Sequence, residues 1–319
     1  MRPLSSLDVS LERIEEAARV IDPVFTNTPQ YIDDQLAAAL GRKIIVKVET
    51  ANPIRSFKGR GADFALGRVG AAEEVVCAST GNYGQAIAYA GRRRSIPVNV
   101  FVPEDINPVK RARMQAFGAR VTAIGRDGTA ADEAAHEYAA RHPAAVYIDD
   151  GKDPTVAEGA GTIGVELIQF GRIDTIVIPV GGGALISGVG RWIKEHSPST
   201  RVVGVCATGA PCMALSWRAG KRVATDSTNT IAEGIDVRAP VASESVQRLR
   251  ALADDMVLVD DKDMIEAIRL ASRTLGLLLE PSGAAGLAAI KVHDIPGDRI
   301  ATILTGSNLR EEQLKWLVQ

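Results

Sequence analysis

The chain has 319 residues, 46% of them hydrophobic and 24% charged, with a formal net charge of −2. These are the proportions of an ordinary globular protein, long enough for two domains or one large one. They argue against a polyanion binder, because no basic stripe stands out beyond Arg92-Arg93-Arg94, a run that suits the last turn of a helix. No apolar run reaches the ~18 residues of a membrane helix, and no basic-then-apolar leader opens the chain. Cys77, Cys206 and Cys212 are widely spaced, form no CxxC pair and leave an odd count. That speaks against a disulfide framework and for a reducing cytoplasm.

Apolar runs and helical periods alternate along the chain. In order, the spacing predicts a strand at Ile44–Glu49, a strand at Val75–Ser79 followed by a helix at Asn82–Arg94, and a strand at Val98–Val102 followed by a helix at Pro108–Phe117. Next come strand Arg120–Ile124 and helix Ala130–Arg141, strand Ala145–Ile148 and helix Thr155–Phe170, and strand Thr175–Val180 and helix Leu185–His196. After strand Arg201–Cys206, the polar stretch Lys221–Pro240 reads as a long connection. Strand Met256–Val259, helices Asp263–Leu275 and Ser282–His293, and strand Ile300–Leu304 complete the pattern. Such alternation predicts an α/β fold of parallel-type open sheets with flanking helices. The stretch 73–147 holds enough elements for a sheet of its own. It is expected to be a small domain, with 1–72 and 148–319 forming a large one.

Four stretches carry unusual chemistry. "NPIRSFKGRGA" sets Lys58 between Phe57 and Gly59, with Gly61 close behind. Glycines lower helix propensity by ~1 kcal/mol each, so they answer a need for close approach. "STGNYGQA" places Ser79, Thr80, Gly81 and Asn82 in a strand-to-helix turn, where backbone N–H groups can hold a carboxylate. One helix cap needs one such polar residue, and this turn has three. "PVGGGALISG" ends a strand in Gly181, Gly182, Gly183 and Ala184 before a helix, a phosphate cradle. It is no GxGxxG fingerprint, which needs glycine at Ile186, and no P-loop, since no GK[ST] follows. "LTGSN" puts Thr305 and Ser307 at another strand end. Ligands of open α/β sheets gather at the carboxyl ends of strands. One lysine with one phosphate cradle points to pyridoxal 5'-phosphate held as a Schiff base.

These motifs, in this order and with "EPSGAAGLAA" from Glu280, resemble those of the fold-type II (β-family, tryptophan synthase β-like) pyridoxal-phosphate enzymes. The likeness runs from Thr26 to Asn308 and is strongest toward the serine/threonine dehydratase (threonine ammonia-lyase) and serine racemase branch. The resemblance implies that Lys58 forms the internal aldimine and then moves the Cα proton. It implies that Phe57 lies beside the cofactor ring, Asn82 bonds its phenolic oxygen, and Gly181, Gly182, Gly183 and Ala184 hold the phosphate. Thr305 would face the pyridine nitrogen, and Glu280 joins the cofactor-binding set. Ser79, Thr80, Gly81 and Asn82 would take the substrate carboxylate, with Tyr83 beside them and Gly234 near the substrate amino group. A homodimer is expected on the same ground.

Departures from the family pattern fall on Tyr83, where many relatives carry histidine, and Gly151, where asparagine is common. "GVCATGAPC" lacks the acidic residues of a family metal site, so none is carried over; hard cations want oxygen ligands. The chain ends soon after "LTGSN", so a regulatory domain and allosteric control by a branched amino acid are not expected. The leading expectation is a lyase that dehydrates and deaminates L-serine, L-threonine or a related β-hydroxy amino acid to a 2-oxo acid and ammonia. Racemisation, with Thr80 as the second acid, β-replacement and non-catalytic amino-acid binding are the competing readings.

Overall fold

The computed structural model describes residues 4–70, 72–79, 81–126, 128–226 and 229–317. In chain order the elements are α1 (Leu11–Val20), β1 (Gln30–Ile32), α2 (Asp34–Leu40), β2 (Ile44–Val48), α3 (Lys58–Leu66), β3 (Glu74–Ala78), α4 (Asn82–Arg94), β4 (Val98–Val102), α5 (Pro108–Ala116), β5 (Arg120–Ala123) and α6 (Gly128–Arg141). They continue with β6 (Ala145–Tyr147), α7 (Pro154–Ile168), β7 (Thr175–Pro179), α8 (Ala184–His196), β8 (Arg201–Ala207), α9 (Cys212–Ala219), α10 (Ser243–Leu252), β9 (Asp255–Val259), α11 (Asp261–Leu275), α12 (Pro281–Val292) and β10 (Ile300–Leu304).

Two sheets result. One has the order β1-β2-β10-β7-β8-β9 and the other β5-β4-β3-β6. All pairings are parallel except β1 with β2. Every strand expected from the sequence is present, and β1 is added as a three-residue antiparallel edge. Central strands such as β2 (IIVKV) and β10 (IATIL) are buried along their whole length, as strands covered on both faces must be. The helices begin where local chemistry ends the loops. Asp33 caps α2, Asn107 caps α5 and Asp153 caps α7, the last two followed by proline at the first turn. Parallel pairing puts the carboxyl ends of β10 and β7 on one edge of the first sheet, and those of β3 and β6 on one edge of the second. The motif residues follow these ends. No helix among the described residues is long and apolar enough to cross a membrane.

A buried ionic cluster fixes α3. Arg60 is fully buried. Its Nε donates to Glu49 (2.8 Å), its Nη1 to Thr162 (2.9 Å) and Glu166 (2.6 Å), and its Nη2 to Thr28 (3.1 Å), Glu49 (2.8 Å) and Glu166 (3.0 Å). Lys47 Nζ adds bonds to Glu166 (2.5 Å) and to the Thr28 carbonyl (2.8 Å). Burial pushes the Lys47 ammonium below its usual range, against the pull of Glu166. Burial also acts to raise Glu166, but Arg60 and Lys47 outweigh it and hold the carboxyl low. The cluster ties α3 to the end of β2 and to α7.

Glu158 of α7 is the contrasting case. Its side chain is buried, accepts a bond from Ser10 N (3.0 Å) and lies 3.6 Å from Arg13. Burial pushes its carboxyl up to about 7, from 4.5. A carboxyl raised in the folded state contributes full stability below the unfolded value. That contribution is lost as pH rises from about 4.5 to about 7. Glu158→Gln keeps the carbonyl that Ser10 needs and removes the charge. The variant should gain ~1–3 kcal/mol over the parent at pH 8 and almost nothing at pH 4.5. Melting curves at the two pH values check this, and an equal difference at both would contradict it.

Candidate active site

Lys58 opens α3, and its Nζ is ion-paired with Asp150 on the loop after β6. The same Nζ stands 4.9 Å from the centre of the Phe57 ring and 5.8 Å from that of Tyr83. The turn that carries Lys58 is docked on the end of β10. Phe57 N donates to the Thr305 carbonyl (3.0 Å), Ser307 N donates to the Arg55 carbonyl (3.0 Å), and Ser56 and Gly306 form an antiparallel bridge.

The loop of Asp150 leads to the triple glycine. A β-carbon at Gly151 would make tight contacts with Val241 Cγ2 (3.0 Å) and the Gly182 carbonyl oxygen (3.1 Å). Ser245 Oγ (3.0 Å) and the buried Arg248 (3.3 Å) both donate to the Gly151 carbonyl and hold the loop in place. Gly183 precedes α8 with φ 97°, a left-handed conformation suited to glycine, and no side chain caps that helix. Its first N–H groups are thus screened by nothing bulkier than glycine, with Ala184 as the first helical residue. A β-carbon at Gly181 would stand 2.5 Å from the Gly234 carbonyl. Gly234 N donates to Ser282 Oγ (2.9 Å), and Thr305 Oγ1 donates to the Ser282 carbonyl (3.3 Å). Thr305 leads back to Phe57, so the contacts close into a ring through Lys58, Asp150, the glycines, Gly234, Ser282 and Thr305.

A second arm joins the ring at Gly306. A β-carbon there would run into Glu280 Oε1. Asn82 Nδ2 donates to that oxygen (2.5 Å) and Asn82 Oδ1 accepts from Asn308 Nδ2 (2.9 Å). Burial raises the Glu280 carboxyl, opposed by the charge of Lys110 and the bond from Asn82. Ser79 Oγ accepts from the amides of Gly81 (3.1 Å) and Gly84 (2.9 Å), so its oxygen serves the turn itself. Tyr83 is buried, its hydroxyl 3.5 Å from the Ile148 carbonyl, and burial pushes it well above the usual phenol range. Thr80 lies outside the described residues.

The structure thus brings together Phe57, Lys58, Gly181, Gly182, Gly234 and Thr305, and adds Asn82 and Glu280 through Gly306. Sequence reading missed Asp150, Lys110, Glu233, Ser282 and Asn308 as members of this neighbourhood. Asn308 closes the "LTGSN" motif and Asp150 sits in "DDGKDP", but neither carries a local signal that separates it from a turn residue. The residues present fit a phosphate-bearing aldehyde: uncapped helix N–H groups, an amine, an aromatic face and a hydroxyl.

Fold and site together define an α/β protein with a partly buried lysine in one ring of contacts with a glycine-rich strand end that leads into α8. The comparisons agree, and the chain belongs to the pyridoxal-phosphate-dependent enzyme family, whose model matches residues 21–306. Its cofactor is pyridoxal 5'-phosphate. It is 32% identical to the L-threonine ammonia-lyase of Thermotoga maritima over 306 residues, covering 94% of this chain and 76% of that protein. The processed threonine deaminase isoform 2 of Solanum lycopersicum superposes with a TM-score of 0.88 at 29% identity, covering 97% of this chain and 88% of that one. Maize serine racemase superposes with a TM-score of 0.89 at 29% identity, covering 97% and 96%.

The cradle can be tested without disturbing the fold. A β-carbon at Gly182 makes an ordinary 3.4 Å contact with Gly151 Cα, and a carboxylate near a helix N-terminus favours the helix. Gly182→Asp should therefore keep the melting temperature of the apoprotein. It should weaken cofactor retention at least tenfold, because the new charge takes the place of the phosphate. Equilibrium titration with pyridoxal phosphate checks this; unchanged affinity would remove the loop from the cofactor site.

Proposed function

We propose that the protein is a pyridoxal-phosphate-dependent ammonia-lyase that converts L-serine, L-threonine or a related β-hydroxy amino acid to a 2-oxo acid and ammonia. The observation that carries this reading is the closed ring that sets the Lys58 amine beside the uncapped end of α8, with a hydroxyl, Thr305, in the same ring. The ammonia-lyase and deaminase relatives support it.

When bound, pyridoxal phosphate supplies an electron-withdrawing ring that acidifies the Cα–H of an attached amino acid. In this reading Lys58 Nζ takes the Cα proton, and the Asp150 carboxylate beside it accepts a hydrogen bond from the protonated amine. Thr305 offers a hydroxyl rather than a carboxylate, so it bonds its partner without holding a proton there. Charge left on Cα is then relieved best by loss of a β-substituent, which favours elimination over transamination. The α8 amides bind the phosphate, and the Phe57 ring covers one side of the amine. Racemisation needs a second acid on the face away from Lys58. Tyr83 points its ring toward Lys58, and burial raises its hydroxyl well above the usual phenol range, which makes it a weak proton donor.

The same proposal takes 1–72 with 148–319 as the large, cofactor-binding domain and 73–147 as the small one. The second sheet, whose strands all fall within Glu74–Tyr147, supports this division. It also takes the protein as a cytoplasmic homodimer. Three buried free cysteines support the location, and the family resemblance supports the dimer.

Incubated with L-serine or L-threonine, the holoenzyme should release 2-oxo acid and ammonia in equal amounts. Enantiomer analysis in heavy water should show little D-amino acid and little Cα deuterium in recovered substrate. Formation of D-amino acid faster than oxo acid would replace this reading with a racemase.

A further inference from the structure

We infer that Lys110 is a substrate-binding residue whose ammonium, poised over Gly81, takes the carboxylate of the amino-acid substrate. This deepens the reading above and rests on it.

Lys110 belongs to α5, yet it is only 4% exposed. Lysines on helices ordinarily lay their stems on the surface and keep the ammonium in water. Here the stem runs inward across the turn between β3 and α4. A β-carbon at Gly81 would stand 3.0 Å from Lys110 Nζ and 3.1 Å from its Cδ. Glycine there spares the lysine a tight contact. The turn also begins α4, a 13-residue helix whose N-cap, Gly81, makes no side-chain cap bond. A buried ammonium and the N-terminus of α4, whose Gly84 amide is already taken by Ser79 Oγ, therefore meet at one point, and both favour an anion.

The partner of Lys110 is built to release it. Lys110 Nζ donates to Glu233 Oε2 (2.5 Å), while the other oxygen, Oε1, is held by Arg310. Burial acts to raise the Glu233 carboxyl, but Lys110 and Arg310 outweigh it and hold it low. Losing a sole partner would leave a buried carboxylate unpaired, which is strongly unfavourable. With Arg310 in place, Lys110 can turn to an incoming anion while Glu233 stays paired. Glu233 is next to Gly234, which touches the Gly181 carbon position, so the anion would enter beside the cradle. The carboxylate is the one anion that every α-amino acid carries, whatever its β-substituent. Lys110 is therefore assigned to recognition of the amino-acid class, not to the choice of leaving group.

The test compares L-alanine with L-alaninamide on the holoenzyme, reading dissociation constants from the cofactor's absorbance. Neither ligand carries a β-leaving group, so the readout is binding rather than turnover. The parent should prefer the acid. Lys110→Gln should lower the amide-to-acid ratio of dissociation constants at least tenfold by weakening the acid alone, and Lys110→Arg should restore most of it. Where Lys110→Gln does not fold, Lys110→Met carries the test. Methionine fills the space of the stem without the ammonium, and should lower the same ratio. A variant that weakens acid and amide equally, or leaves the ratio unchanged, overturns the inference and makes Lys110 structural. A parent that responds to no amino acid overturns the functional reading itself.

Discussion

Everything in the site is referred to the guanidinium of Arg60. It sits two positions after Lys58 on the same helix and is fully buried, so its charge has to be met in place. Two carboxylates and two threonine hydroxyls do so, from β2, from α7 and from the segment before β1. Such a cluster does not stabilise a fold cheaply, because desolvation cancels most of its attraction. Its value lies in position: removing Arg60 strands the buried Glu49 carboxylate at a cost of about 3–5 kcal/mol, so α3 has one depth and one rotation. Lys58 inherits both. The first sheet thereby aims the amine at the edge where the second sheet presents Asp150.

Around that amine the chain passes close to itself three times, and each crossing falls on glycine. Gly181 meets Gly234, Gly182 meets Gly151, and Gly283 meets Gly306. At Gly181 and Gly283 a β-carbon would strike the opposing backbone, so backbone groups line much of the site. Charges there are paired and graded. Lys58 has Asp150, and Lys110 shares Glu233 with Arg310. Glu280, buried beside Asn82, is pushed toward its neutral form.

Much of this was legible in the sequence. The β–α alternation gave nine of the strands because parallel strands, buried on both faces, read as continuous apolar runs. The glycine-rich strand ends stood out because they exceed what turns require. Other parts had no local signal. The short edge β1, and helices such as α3, which opens on a lysine and two glycines, break the periodic pattern. Asp150, Lys110 and Glu233 act through pairs separated by 92 and 123 positions, and nothing in a polar helix marks one lysine as buried. Gly151 read as a departure from its relatives; its approach to the Gly182 carbonyl exists only in three dimensions. Ser79 read as a ligand, and its oxygen is used by the turn that it begins.

The central claim is that this architecture makes Lys58, and no other lysine, the cofactor's anchor. Lys47 and Lys110 are both more deeply buried, so the choice is a real one. Reducing the yellow holoenzyme with borohydride and mapping the added pyridoxyl mass by peptide sequencing decides it. The account predicts loss of the visible band and label on Lys58 alone. Label on Lys47, Lys110 or any other lysine, or a reconstituted protein with no band to lose, would contradict it.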